Sequence, residues 1–256
     1  MNLIAKLGHP FTEFILHLGR ILILFFNILI NLPYSIKKFY LIIQEIHFCG
    51  VKSIVIILVS GWFVGMVLGL QGYNTLSRFG SVSMLGSIVA LSILRELGPV
   101  LTAILFASRA GSGITAGIGL MKATEQLDAM SVMAVNPIKR IVAPKFIGGI
   151  ISVPLLVGLF NVSGIFGGYF VGVTLLHVDS GTFWSQMRES VSLHGDVING
   201  LIKGAVFGAA VSLIAVYQGF VAKPTADGVS LATTRTVVTS ALVILALDYV
   251  LTSLMF

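Results

Sequence analysis

The sequence predicts an all-α integral membrane protein, and three observations lead to that prediction. Of the 256 residues, 56% are hydrophobic and only 10% are charged, whereas a soluble domain carries about 25% charged residues. The mean hydropathy is +1.01. Five apolar stretches are each long enough to cross a hydrocarbon layer of about 30 Å. These properties exclude a disordered chain and an ordinary cytosolic enzyme.

The five predicted spans belong to a single domain, residues 1–256. An earlier apolar stretch, Phe14 to Leu32, is interrupted by His17, Arg20 and Asn27, so residues 1–50 are predicted to form an N-terminal interfacial region with one helix. The five-span bundle occupies residues 53–256. Its spans are Ser53 to Tyr73, Val82 to Ala107, Phe146 to Leu176, Val197 to Ala222 and Thr236 to Phe256.

Positive charges predict how the chain is oriented. Of the 16 lysine and arginine residues, 12 fall before the first span, between the second and third, or between the fourth and fifth. By the positive-inside rule, the N-terminus is cytoplasmic and the C-terminus lies on the opposite side. The net charge of +6 therefore marks cytoplasmic segments rather than a nucleic-acid partner. An odd number of spans without an internal repeat argues against the inverted-repeat plan of many secondary transporters.

Three spans carry glycines at four-residue spacing. Such stripes let helix backbones approach closely in lipid, where no hydrophobic force drives helices together. Two interpretations stay open: packing within one chain, or additional use of one stripe in a homodimer or a moving interface. The glycines are Gly61, Gly65 and Gly69, then Gly164, Gly168 and Gly172, then Gly200, Gly204 and Gly208.

Large side chains continue the face of the first glycine stripe toward the outside. They are Leu68, Thr75, Leu76 and Phe79, on about the same helical face. Two helices that touch at the glycines could diverge there and expose an apolar pocket, with ordinary core packing as the alternative.

Four charged residues, Arg95, Glu96, Lys203 and Asp248, lie within predicted spans and sum to zero. Charges at mid-bilayer cost at least about 2.5 kcal/mol each, so they are expected to pair or to face a wet cavity. Arg95, Glu96 and Asp248 are predicted near the middle of their spans. We expect Arg95 to pair with Asp248, and Glu96 to face Lys203 or a cavity. A structural network, a headgroup route and a proton relay all stay open.

The sequence carries none of the common motifs for phosphate binding, metal binding or nucleophilic catalysis. The sequence has no phosphate loop, no HExxH metal pair and no nucleophile elbow, and its five histidines have no ligand spacing. We therefore expect no enzymatic activity, no metal and no cofactor in this chain. Cys49 is the only cysteine, which excludes an intramolecular disulfide.

A short amphipathic helix is predicted between the second and third spans. Thr124 is a suitable N-cap and Pro137 terminates the segment, while one face carries Leu127, Met130, Met133 and Ala134. On the cytoplasmic side such a helix can fit a partner's groove. The alternative is a helix that packs only on its own bundle.

Four segments resemble the MlaE/YrbE permease family. They are SGWFVGMVLGLQGY (Ser60 to Tyr73), LRELGPVLTAILFASRAGS (Leu94 to Ser112), Glu125-Gln126-Leu127, and the ending ATTRTVV…LDYVLTSLMF. The resemblance extends over nearly the whole chain. The family includes the permeases of Mla phospholipid ABC transporters and of Mce systems, and a chloroplast lipid-import permease. One departure is Gly117, where many members have Glu, so the details of partner docking are expected to differ.

The resemblance implies a homodimeric permease of the bacterial inner membrane that moves phospholipids between inner and outer membrane and maintains outer-membrane lipid asymmetry. It implies three protein partners: a cytoplasmic ABC ATPase that binds ATP and Mg, a STAS-domain protein bound to the ATPase, and a hexameric MCE-domain ring in the periplasm. The ATPase would dock on a coupling helix that includes Thr124, Glu125, Gln126, Leu127, Asp128 and Met130. The lipid path would include Leu68, Thr75, Leu76, Phe79, Arg95 and Glu96.

Two other functions remain as alternatives. One is an ion-coupled secondary transporter that uses the four intramembrane charges. The other is a membrane scaffold that anchors the MCE-type ring without transporting lipid.

Overall fold

The computed structural model describes residues 16, 19–33 and 38–255. The backbone of these residues is helical, and no strand occurs among them. Five helices are long and apolar enough to cross a membrane, and a shorter apolar helix, Gly19–Pro33, precedes them. The predicted all-α membrane class, the five spans and the short N-terminal helix are therefore confirmed. Phe14, His17 and Phe256, which the sequence predictions used, lie outside the described residues.

The spans are built from α-helices joined by short π-helical or 3₁₀ segments. The spans run over Phe39–Arg78, Val82–Ala123, Ile138–Leu175, Leu193–Val221 and Ala226–Met255. The α-helices are α1 Gly19–Pro33, α2 Phe39–Cys49, α3 Ile54–Arg78, α4 Leu85–Ser92, α5 Gly98–Phe106, α6 Ser112–Ala123, α7 Gln126–Val132, α8 Ala143–Tyr169, α9 Ser180–Ser190, α10 Asn199–Val221 and α11 Ala226–Met255. The π-helical segments are Ile93–Leu97, Ala107–Gly111, Ile138–Val142, Phe170–Leu175 and Leu193–Ile198.

The second span is longer than predicted. Its helix continues past Ala107 to Ala123, through a stretch rich in glycine and serine that the predicted boundaries leave between spans. Tertiary contacts explain the difference. The Thr115 hydroxyl lies 2.8 Å from the Thr236 hydroxyl and donates to the Ala215 carbonyl at 2.9 Å. Small residues let α6 pack closely on α10 and α11, and that packing keeps the stretch helical.

The first span also begins earlier than predicted, because α2 leads into it from Phe39. A salt bridge of 2.7 Å joins Glu45 of α2 to Lys145 of α8. α1 contacts the same helix, with the Phe25 ring centroid 6.1 Å from that of Phe146. Both helices of the N-terminal region therefore pack against α8.

α8 lies at the centre of the bundle and approaches α3 along two of the glycine stripes. A methyl group added to Gly61 would lie 2.8 Å from a carbonyl oxygen of α8, and one added to Gly69 would lie 2.9 Å from the Gly168 carbonyl oxygen. Between them, a methyl group on Gly65 would overlap the Gly164 carbonyl. The two backbones are in direct contact, which only glycine permits here.

The third stripe, on α10, packs against other helices of the same chain. A methyl group on Gly208 would lie 2.9 Å from a carbonyl oxygen of α8, and one on Gly200 would lie 2.5 Å from a carbonyl oxygen of the second span. Gly204 lies against α8, and Gly172 lies against the side chain of Leu85. The structure therefore places all three stripes in contacts within one chain.

The contact between α3 and α8 gives a first prediction. Gly65→Ala is expected to lower the free energy of unfolding by at least about 3 kcal/mol, because backbone atoms cannot move aside as a side chain can. Thermal unfolding of the detergent-solubilised protein measures this change.

The matched control is Gly158→Ala on α8, since a methyl group there would have no atom within 4 Å. This variant should unfold at or slightly above the parent temperature, because alanine favours the helix. Equal stability of the two variants would contradict the direct backbone contact.

Candidate functional site

The centre of the candidate site is Lys203, whose side chain is completely buried. Its Nζ donates hydrogen bonds to the Arg95 carbonyl at 2.9 Å and to the Thr252 hydroxyl at 2.7 Å. It also forms ion pairs with Glu96 at 3.2 Å and with Asp248 at 3.3 Å. Burial of a charge without compensation is prohibitive, and here two carboxylates and two further oxygens surround the ammonium group.

Pro99 explains one of these contacts. Proline has no backbone N–H, so it cannot donate to the carbonyl four residues earlier in the helix. That carbonyl belongs to Arg95, and the Lys203 ammonium occupies the place of the missing donor. The second span is π-helical at this point, over Ile93–Leu97. The proline thus leaves a carbonyl acceptor in the second span, and this acceptor binds the buried ammonium group of Lys203 in the fourth span.

The predicted pairing of Arg95 with Asp248 is wrong. Asp248 pairs with Lys203, whereas the Arg95 Nε donates to Asp196 at 2.6 Å. Glu96 does lie beside Lys203. Asp196 accepts a second hydrogen bond from the backbone N–H of Ser192 at 2.7 Å. Sequence reasoning missed Asp196 because it considered only charges inside the predicted spans, and this residue immediately precedes the fourth.

The charged cluster lies nearer one end of the bundle than the other. The Lys122 ammonium binds the carbonyls of Phe220 and Ala222, so the second and fourth spans end together beside α7. Lys203 lies 18 residues before Val221, about 27 Å along the helix, and 10 residues after Leu193, where the span begins. The cluster is therefore nearer the end opposite α7.

The second span is longer than predicted, so Arg95 and Glu96 lie before its midpoint rather than at it: the extension to Ala123 moves the midpoint away from these residues. The cluster is partly accessible, since the Arg95 side chain is 40% exposed.

A narrow cleft between α3 and α4 ends beside this cluster. It has a volume of about 230 Å³, and three of the predicted lipid-path residues, Leu68, Thr75 and Leu76, line it on α3. Ser92 lines the opposite wall, one helical turn before Arg95. Phe79 lies beyond the cleft at the end of α3 and is 77% exposed. Leu76 is buried, so it also belongs to the core.

The predicted coupling helix is shorter than expected. It extends over Gln126–Val132, and Thr124 is not its N-cap: the Thr124 hydroxyl donates back to the Leu120 carbonyl at the end of α6. Glu125 adopts a left-handed conformation, with φ of 56°, that turns the chain between the two helices.

The two faces of α7 are sharply different. Leu127 is buried and Met130 packs on the core, whereas Gln126 and Asp128 are exposed. The predicted apolar face does not continue to Met133 and Ala134, because the helix ends at Val132 and both of these residues are exposed. An apolar pair, Val132 and Met133, is thus left uncovered at this end of the bundle.

Among the described residues, 16, 19–33 and 38–255, no group of three or more His, Cys, Asp or Glu side chains could hold a metal ion.

A model of the MlaE permease family matches residues 42–254. The chain belongs to the MlaE permease family. It is 52% identical over 256 residues to the intermembrane phospholipid transport system permease protein MlaE of Haemophilus influenzae, covering 100% of this chain and 98% of that protein. It is 42% identical over 221 residues to a probable ABC transporter permease protein of Rickettsia bellii, covering 85% and 84% of the two chains.

A more distant relative comes from a plant. The chloroplastic protein TRIGALACTOSYLDIACYLGLYCEROL 1 of Arabidopsis thaliana is 30% identical over 214 residues, which cover 84% of this chain and 61% of that protein.

A side chain would fit at Gly117, because an added methyl group would have no atom within 4 Å. The position lies on α6, less than two turns from its C-terminal end. The glutamate expected there from the family resemblance would therefore have room beside the segment that leads to α7.

The pairing of Arg95 with Asp196 gives a second prediction. In a double-mutant cycle of Arg95→Gln and Asp196→Asn, we expect a coupling energy of at least about 1 kcal/mol, because the two side chains share a short ion pair in which the carboxylate is buried. The free energy of unfolding in detergent is measured for both single variants and the double variant.

The comparison cycle combines Arg95→Gln with Asp248→Asn. It should give a coupling within about 0.5 kcal/mol of zero, because Asp248 pairs with Lys203 instead. The reverse order of the two coupling energies would show that the ion pairs are assigned wrongly.

Proposed function

We propose that this protein is the permease subunit of an ABC transporter that moves phospholipids between the inner and outer membrane of a bacterium. The observation that carries the proposal is its membership of the MlaE permease family, with 52% identity over the full chain to a phospholipid transport permease. By this transport the system would maintain the lipid asymmetry of the outer membrane.

The geometry of the site suits an amphiphile with an anionic headgroup. The cleft between α3 and α4 offers apolar side chains for acyl chains, and the half-exposed Arg95 lies one helical turn beyond Ser92, which lines the cleft. The planar guanidinium of arginine matches the geometry of a phosphate group. Asp196 holds Arg95 through Nε, which orients the guanidinium before a lipid arrives.

A second copy of the chain would complete the lipid pocket. The cleft of one chain, about 230 Å³, is too small for a phospholipid with two acyl chains. Binding of such a lipid therefore needs further walls. The exposed aromatic side chain of Phe79, beside the cleft, is a suitable contact for a second copy or for the lipid itself.

ATP would be bound and hydrolysed by a separate subunit. No phosphate-binding motif is present in the sequence, so a cytoplasmic ABC ATPase with ATP and Mg would supply the energy. The α7 end would face the cytoplasm, and the exposed Val132 and Met133 would contact the ATPase. A STAS-domain protein would bind the ATPase, and a hexameric MCE-domain protein would receive or deliver lipid at the opposite end.

An ion-coupled secondary transporter is not favoured. That alternative was based on the charges within the spans. These charges bind one another in ion pairs, and Lys203 also binds the carbonyl that Pro99 leaves without a donor. Nothing in their geometry requires a bound or moving ion.

The lipid path gives a third prediction. Phe79→Ser should lower ATP-dependent phospholipid transfer by about tenfold, because a large apolar contact with the lipid or the second copy is lost. Transfer of a fluorescent phospholipid between the reconstituted transporter and acceptor vesicles measures the rate. Phe79 is preferable to the buried Leu76, whose substitution would also disturb the core.

The control is Val55→Ser, at the other end of α3 and similarly exposed, 74% against 77%. Its transfer rate should equal that of the parent protein. Unchanged transfer by the Phe79 variant would show that this residue is not part of the lipid path. Transfer without ATP would overturn the proposed ABC mechanism.

The docking surface gives a fourth prediction. Val132→Asp should abolish most co-purification of the ATPase without a loss of permease stability, because Val132 is 88% exposed and contributes nothing to the core. Affinity purification of the tagged permease, followed by quantification of the bound ATPase, tests this expectation.

Ala226→Asp provides the comparison, because this exposed residue lies at the same end of the bundle and begins α11, where an acidic residue is favourable. Equal loss of the ATPase from both variants would point to a general charge effect and against α7 as the contact.

A further inference from the structure

A large cavity lies on the other side of the second span from the cleft between α3 and α4. It is enclosed by α8, α9 and the beginning of the fourth span, and its volume is about 880 Å³. This size is within the range of sites that bind organic ligands. It shares no lining residue with the cleft described above. Its walls are almost entirely apolar.

Two polar side chains interrupt these walls. Asn161 of α8 is only 5% exposed, and its Oδ1 has no hydrogen-bonding partner among the described residues. This atom points at Gly98, so the amide nitrogen is the end that remains for the cavity. Arg188 of α9 is the second polar residue, and it forms no salt bridge with any side chain in the described ranges. An amide and a cation therefore line an apolar cavity.

The level of the cavity follows from its neighbours. Leu94 and Val197 line it, and each adjoins a member of the Arg95–Asp196 ion pair. The cavity thus lies at the end of the bundle opposite α7, at the depth of the outer leaflet of the surrounding membrane.

α9 is capped at its beginning and joined to α4 near its end. Asp179 caps the helix by accepting a hydrogen bond from the Thr182 backbone N–H at 2.7 Å. Hydrogen bonds from the backbone and hydroxyl of Thr182 lower the pKa of the Asp179 carboxyl, so the cap is ionised at neutral pH. Near the other end, the Ser190 hydroxyl lies 2.8 Å from that of Ser87. Trp184 and Arg188 are therefore held in place over the cavity.

We propose that this cavity binds one phospholipid from the outer leaflet of the same membrane. The acyl chains contact the apolar walls, the Asn161 amide donates to an ester carbonyl, and Arg188 binds the phosphate. A glycerophospholipid carries these two acceptors at successive depths, with the phosphate nearer the interface, whereas a fatty acid carries only one. The proposal rests on the proposed function and adds a lateral lipid site beside the path at Arg95.

Trp184 provides a direct probe of occupancy. The chain has only two tryptophans; Trp184 lines the cavity, and Trp62 lines a separate, neighbouring groove between α3 and α8. Their exposures are nearly equal, 37% and 38%. In a Trp62→Phe variant of the full chain in detergent, phosphatidylglycerol with brominated acyl chains should quench Trp184 saturably at one lipid per chain. Unbrominated phosphatidylglycerol should reverse the quenching, and a brominated fatty acid should quench only weakly.

The matched control for the probe is a Trp184→Phe variant, in which Trp62 reports general contact with micellar lipid. Quenching of Trp62 should rise without saturation at these lipid ratios. Identical quenching curves for the two tryptophans, or equal quenching of Trp184 by fatty acid and phospholipid, would overturn the proposal.

Two substitutions test the cavity itself. Gly158→Phe fills the cavity from α8, where an added side chain has open space, and should abolish the saturable quenching. Leu155→Phe adds the same ring to an exposed position of α8 outside the cavity and should leave the quenching unchanged.

Arg188→Ala should raise the half-saturating concentration of phosphatidylglycerol about tenfold, because a charged hydrogen bond is lost; Arg188→Lys should restore most of the affinity.

A photo-crosslinking residue at Leu193, which lines the cavity and is exposed, tests the assembled transporter in cells. A cross-linked product whose added mass is that of a phospholipid supports the proposal. A cross-link to a polypeptide would show that a partner's segment fills the cavity and would overturn the proposal.

If Gly158→Phe abolishes Trp184 quenching but ATP-dependent lipid transfer persists, the site exists without being needed for transport. If no saturable quenching occurs while transfer is intact, the lateral site fails and the proposed function stands.

Discussion

The end of the bundle opposite α7 depends on one buried ammonium group. Pro99 leaves the Arg95 carbonyl without its helical donor, and Lys203 of the fourth span supplies a replacement. The charge of Lys203 in turn requires the carboxylates of Glu96 and Asp248. Three spans are thereby joined at one level.

Close backbone packing determines where space is left for ligands. α3 and α8 touch along their glycines, and beyond that contact larger side chains line the cleft between α3 and α4. On the opposite side of the second span, α9 covers the larger cavity that contains Asn161 and Arg188. The second span thus carries the Arg95–Glu96 pair between two apolar spaces. This geometry is suited to a lipid that passes from the membrane toward a central path.

The two ends of the bundle differ in chemistry. The end opposite α7 contains ion pairs, an aromatic residue and apolar clefts, which suit amphiphilic ligands. The α7 end presents a short helix with Leu127 buried and the neighbouring Val132 exposed, which suits a protein partner. A bundle that is tightly packed between its ends can transmit a movement from one end to the other, because packed backbones resist gradual deformation.

The sequence by itself determined the class, the number of spans, the short N-terminal helix and the family, because apolar length and glycine spacing are local properties of the chain. It also predicted that the intramembrane charges would be paired. Only the tertiary structure decided which charges pair, since Asp196 and Arg95 are 101 residues apart. The depth of the cluster and the lateral cavity were likewise invisible in the sequence. Both depend on how far α6 extends and on where α9 lies, and these are set by contacts between distant helices.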